Sequence, residues 1–158
     1  MTTVLPFRLK VATDTKVAAW HSRTVSYRIH GLTRVEDGNL VVQWSGAAEI
    51  VEMKGTGSHV KEETLPVRTI TLPVTRVAGL TLEGRWWRWR VVLRVTDLAA
   101  LAEVPGARDG ALTLWIARRD REIAAELIAD LEIQQADAAL AAAEEPPPLP
   151  PPPDAERR

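Results

Sequence analysis

The run Arg85-Trp86-Trp87-Arg88-Trp89-Arg90-Val91-Val92-Leu93-Arg94-Val95 decides the fold. In extended backbone, successive side chains point to opposite faces. Trp87, Trp89, Val91, Leu93 and Val95 then share one side, and Trp86, Arg88, Arg90, Val92 and Arg94 share the other. One face is a core and the other is cationic. Wound as a helix, the same run scatters three Trp and four Arg around its circumference with no apolar stripe. The alternation therefore predicts a central strand of an antiparallel sheet covered on one face.

Working upstream, Val77 to Glu83 reads as a strand with Leu80 and Leu82 inward, and Gly84 turns the chain into the Trp/Arg run. Val67 to Leu72 is a short strand with Ile70 and Leu72 inward, ended by Pro73, which cannot donate a ladder hydrogen bond. Val60 to Leu65 is too acidic and irregular to assign. Ala47 to Lys54 reads as a strand of its own, closed by the turn Gly55-Thr56-Gly57-Ser58. Val25, Tyr27 and Ile29 alternate with polar neighbours and Gly31 marks a bulge. Asp37-Gly38 between two apolar runs signals a hairpin, with Leu40, Val42 and Trp44 on the inner face of the return strand. Residues 1–22 alternate weakly, with Asp14-Thr15 as a turn, and are set apart as an N-terminal extension, an arm or an edge strand.

Downstream, Asp97 to Gly110 reads as a loop holding one short helical turn. Ala111 to Ala117 is the last strand, with Leu112, Leu114 and Ile116 on one side and Trp115 on the other. From Asp120, placed as N-cap, the residues Ile123, Ala124, Leu127, Ile128 and Leu131 recur at the helical period, extended by Gln135 and Ala138. Residues 144–158 carry seven Pro in 15 positions, which forbids helix and sheet and favours polyproline II. The expected body is 23–143, followed by this proline-rich tail.

The 158 residues are 46% apolar with formal net charge −1, enough for one domain with a sizeable core and forcing no electrostatic class. The absence of Cys excludes a disulfide scaffold, thiol catalysis and thiolate zinc sites, and fits a reducing compartment. No apolar run approaches the length of a signal peptide core or a membrane span, so a cytoplasmic chain is expected, soluble or peripheral on the cytoplasmic face of a membrane.

Roughly seven short antiparallel strands followed by one amphipathic helix is the element order of a pleckstrin-homology-like (PH-like) barrel. The stretches Ile70 to Leu80, the Trp/Arg strand, and Leu112 to Asp120 resemble bacterial PH-like domains, over about residues 24 to 140. The resemblance implies a barrel or sandwich with the helix plugging one open end, and a binding module rather than an enzyme. Members that bind phosphoinositides resemble one another in a basic loop between the first two strands. Here that loop is Val35-Glu36-Asp37-Gly38-Asn39, whose acidity argues against specific inositol-phosphate recognition.

Chemistry-bearing patterns are sparse. His21, His30 and His59 are scattered with no paired ligand spacing, and Gly55 to Lys61 lacks the Gly-Lys-Ser/Thr ending of a phosphate loop. No Gly-x-Ser-x-Gly elbow occurs. No catalytic, metal or cofactor residue is assigned. Arg85, Trp86, Arg88, Arg90 and Arg94 form a cationic and aromatic face open to an acidic partner or anionic headgroups, or cross-paired with Glu on neighbouring strands. Arg118, Arg119 and Arg121 crowd a helix start whose dipole disfavours cations, so they point to solvent or clamp an anion. Pro147, Pro148, Leu149 and Pro150 have the form of a polyproline II ligand. Nucleic acid is disfavoured by the net charge, and no small-molecule substrate is evident.

These readings lead to a non-catalytic structural or adaptor subunit that docks on protein subunits of a larger, membrane-associated complex through the Arg/Trp face and its terminal extensions. An energy-transducing complex, photosynthetic or respiratory, is one setting for it. The alternative is a peripheral module binding an anionic membrane surface, and the third reading is an enzyme with an unrecognised site.

Overall fold

The computed structural model describes residues 2–150. Seven antiparallel strands lie in the order β4-β3-β2-β1-β7-β6-β5 and one helix follows them. The elements are β1 (Val4–Ala18), β2 (His21–Glu36), β3 (Asn39–Lys54), β4 (Gly57–Pro73), β5 (Val77–Arg85), β6 (Arg88–Val95), β7 (Ala111–Ile116) and α1 (Arg121–Glu144). Inward residues alternate as the pleat requires: Leu5, Phe7 and Leu9 on β1, Leu40, Val42 and Trp44 on β3, Val91, Leu93 and Val95 on β6, and Leu112, Leu114 and Ile116 on β7 are all buried. The β2–β3 hairpin turns at Asp37-Gly38, both with positive φ (49° and 74°), as its sequence predicts, but because β1 precedes it Val35 to Asn39 is the second hairpin and not the loop between the first two strands.

The main difference from the sequence reading is at the N-terminus. Residues 4–18, expected to lie outside the body in an extension with a turn at Asp14-Thr15, run unbroken as β1 between β2 and β7 and link the two halves of the sheet. Their alternation is weak because only Leu5, Phe7 and Leu9 meet the core; Ala12 to Lys16 are exposed while still paired to β2. Two further strands are longer than read. Ala47 to Lys54 continues β3, and Val60 to Leu65 belongs to β4, whose exposed edge position accounts for its acidic composition. The register steps from Trp44↔Arg68 to Gly46↔Leu65, so Ser45 faces Pro66 and Val67, and the proline sits in an edge-strand bulge where its missing N–H is harmless.

The turn between β5 and β6 also differs. Arg85 pairs with Arg88, so the two-residue turn is Trp86-Trp87, and Trp87, expected inward, is exposed. Gly84 stays in β5 opposite Trp89, whose indole occupies the space a Cβ at Gly84 would fill. Trp89 packs half-buried against the core while Leu93 is fully buried.

α1 buries Ala124, Leu127 and Leu131 against the sheet, each Leu stabilising by about 1.5–3 kcal/mol. Gln135, read as part of the apolar stripe, donates from Nε2 to the carbonyls of Val74 (2.9 Å) and Val77 (2.7 Å), and Gln134 Oε1 accepts from the Gly38 N–H at 2.7 Å. These bonds tie the helix to the β4–β5 connection and the β2–β3 turn at once. Asp120 occupies the N-cap position, but its carboxylate accepts no capping hydrogen bond. The last side chain of α1 packed on the core is Ala138, and residues 139–150 are exposed, including Pro147, Pro148, Leu149 and Pro150. The rest of the predicted tail, 151–158, lies outside the described residues. A chain ending at Ala143 is therefore expected to match the full chain in unfolding free energy within about 0.5 kcal/mol by urea denaturation. A larger loss would show that the tail packs on the body.

Candidate functional site

The sheet's outward face carries a groove of about 1050 Å³. Its lining follows the pleat. Pro6 and Arg8 flank inward Phe7, His30 and Leu32 flank Gly31, Gln43 and Ser45 flank Trp44, and Trp115 and Ala117 flank Ile116. Val67 on β4 closes one end, and Trp87, Arg88 and Arg119 close the other. The groove thus crosses β4, β3, β2, β1, β7 and β6. Six strands about 4.8 Å apart make it roughly 24 Å long, the span of about seven residues of extended peptide.

Glycine and bulge shape this surface. A Cβ at Gly31 would run into the Gln43 carbonyl oxygen and the Phe7 ring, so the phenyl lies directly over Gly31. The β4 bulge opposite Ser45 places Val67 at the rim, exposed. Strand β1 meets β7 through the single pair Arg8↔Trp115, which sets the guanidinium-bearing strand beside the indole at the centre of the groove.

Arg8, Lys10, Arg88 and Arg119 line the groove against one carboxylate, Asp120. Arg119 Nε is 3.8 Å from Asp120 Oδ1, whereas Arg8, Lys10 and Arg88 enter no ion pair among the described residues. Other outward cations nearby are neutralised: Arg28 meets Glu49 at 3.0 Å and Arg90 meets Glu83 at 2.8 Å. Arg90 also stacks over Trp115, 5.9 Å from the ring centroid. Both pairs are substantially solvent-exposed, so each contributes well under 1 kcal/mol to stability. Among the described residues, Arg8, Lys10 and Arg88 thus stay unpaired in a groove also lined by Trp115 and Leu32, while Arg28 and Arg90 beside it are matched.

The predicted site residues therefore separate. Arg88 and Arg119 line the groove, and Arg90 supports Trp115 from a structural ion pair. Arg94, at the other end of β6 between Gly79 and Ala111, is exposed and apart from it. Arg85 and Trp86 sit at the hairpin tip, exposed; Arg118 and Arg121 point to solvent, and Pro147, Pro148, Leu149 and Pro150 lie beyond the helix. Arg8, Lys10 and His30 were missed. Their signal was the alternation Pro6-Phe7-Arg8-Leu9-Lys10, legible as a strand but not as a neighbour of β7.

A nucleophile and a base are juxtaposed in the groove. His30 and Ser45 are cross-strand partners, with Ser45 Oγ 3.4 Å from His30 Nε2. No carboxylate is hydrogen-bonded to the other ring nitrogen among the described residues. Unpaired cations beside an indole and an aliphatic side chain can pair with anionic groups and cover apolar ones. Among the described residues no helix is long and apolar enough to cross a membrane. No family model, no curated protein and no solved structure matches the chain.

Proposed function

We propose that the chain is a non-catalytic, PH-like adaptor subunit that docks on a larger membrane-associated assembly by holding an acidic, extended segment of a protein partner in the outward groove. The strand order with a C-terminal helix tied across the β4–β5 connection supports the PH-like reading. The observation that carries the docking reading is the convergence of Arg8, Lys10 and Arg88, none ion-paired among the described residues, on a cleft floored by Trp115 and Leu32. The sheet fixes where these cations leave the backbone, beside an aromatic surface, and their guanidinium and ammonium groups can pair with carboxylates. The exposed Pro147 to Pro150 segment adds a second, extended contact.

Arg8→Gln/Lys10→Gln/Arg88→Gln tests this in affinity capture from an extract of the source cells, followed by binding measurements on the recovered partner. The triple variant is expected to melt like the parent, because these side chains are exposed, while partner affinity falls at least tenfold, about 1.4 kcal/mol, with a weakened salt dependence. A partner bound equally well by both proteins would remove the groove from the account.

A further inference from the structure

The β5–β6 hairpin ends in Arg85-Trp86-Trp87-Arg88, and four of its properties oppose folding optimality. Trp86 and Trp87 are 81% and 75% exposed, two adjacent indoles open to solvent at one turn. Trp86 takes φ +54° as the first central residue of a two-residue turn, the position glycine ordinarily fills in the type II′ hairpin. Arg85 and Arg88 stand directly opposite each other, a like-charge cross-strand pair. Neither Arg has an acidic partner among the described residues, since the nearby Glu83 is engaged by Arg90. Local rules broken together at one exposed point mark a functional surface rather than a structural one.

We infer that this tip enters the interface of an anionic bilayer, the two indoles lodging at headgroup level and the two guanidinium groups pairing with lipid phosphates and carboxylates. Indole rings favour that boundary because one part of the ring is apolar and its N–H is polar, and Arg beside them gains from the negative surface potential. A tight hairpin presents both rings from a rigid support, so little conformational freedom is lost on insertion. Trp87 and Arg88 also border one end of the outward groove, so a membrane engaged by the tip lies at the groove's end. A segment held in the groove then emerges beside the bilayer. The inference goes beyond the docking reading: it shares Trp87 and Arg88 with the groove, whereas Trp86 and Arg85 lie outside the groove lining.

Co-sedimentation of the full chain with phosphatidylcholine vesicles and with equimolar phosphatidylcholine–phosphatidylserine vesicles is the test. The parent protein is expected to partition onto the mixed vesicles. Trp86→Ser/Trp87→Ser lowers that partitioning at least tenfold, and Arg85→Gln/Arg88→Gln removes the preference for phosphatidylserine. Trp86→Gly, which places the ordinary residue in the turn, keeps or raises the melting temperature yet weakens partitioning severalfold, so lost binding cannot be ascribed to lost folding. Arg8→Gln/Lys10→Gln partitions like the parent. The proposal is overturned if the parent stays in solution with both vesicle types, as it would were the indoles a protein contact. It is equally overturned if the double Trp variant partitions undiminished, or if Arg8→Gln/Lys10→Gln abolishes partitioning.

Discussion

Leu93→Ala is expected to lower the unfolding free energy by about 3–5 kcal/mol. Leu93 is fully buried and stands in one row with Leu80 of β5 and Leu112 of β7, its direct cross-strand partners. Hydrogen-bonded strands on both sides fix the backbone around it, so the space left by the missing carbons cannot collapse and a cavity term adds to the lost transfer energy. Arg94→Ala, one residue along and exposed, is expected to change stability by less than about 0.5 kcal/mol. Urea denaturation of the two variants measures the contrast. Similar small losses for both would mean that the two faces of β6 are assigned the wrong way round.

Gly46→Ala is expected to destabilise by about 3 kcal/mol, the upper end for overpacking, or to prevent folding outright. A Cβ at Gly46 would run into the carbonyl oxygen of Arg28 and approach the Ile29 Cα to 2.9 Å. Those atoms belong to the backbone of β2, which pairs with β3 along its whole length and cannot yield as a side chain would. Gly79→Ala is the matched control. Nothing lies within 4 Å of a Cβ there and the backbone φ is ordinary, so the substitution is neutral or stabilises by up to about 1 kcal/mol by restricting the unfolded chain. Soluble yield and denaturation midpoints of the pair decide it. A Gly46→Ala protein as stable as Gly79→Ala would contradict the β2–β3 approach described above.

Where the sequence was readable, the reason was local. Leu112, Leu114 and Ile116 alternate cleanly against Trp115, Asp37-Gly38 takes the positive φ that its turn demands, and Leu127 and Leu131 sit at the helical period. Where the reading went astray, the deciding contact was distant in sequence. Nothing within residues 1–22 reveals that Arg8 pairs with Trp115, so a central strand looked like an extension. The alternation of the Trp/Arg run holds for Val91, Leu93 and Val95, but Val92, expected on the cationic face, is buried as well, Trp89 is only half-buried, and Gly84 sits within β5 and not at the turn. A turn glycine and a glycine making room for an indole are indistinguishable in sequence, and only the packing of Trp89 separates them. The groove was half legible for the same reason. Arg88 and Arg119 stood out as clustered cations, whereas Arg8 and Lys10 join them only once β1 lies against β7. Conversely, Arg90 and Arg94 looked equivalent to Arg88, and it is the position of Glu83 on the neighbouring strand that makes Arg90 a structural residue.

The claim that the outward groove is the docking surface can be tested directly because the chain contains no cysteine. A single cysteine introduced at Leu32, on the exposed floor of the groove, and another at Ile133, exposed on the outer side of α1, can each carry a photo-activated cross-linker. With the recovered partner present, the account predicts that the Leu32→Cys protein captures it and the Ile133→Cys protein does not. Capture through Ile133→Cys with none through Leu32→Cys would contradict the account and move the interface to the helix.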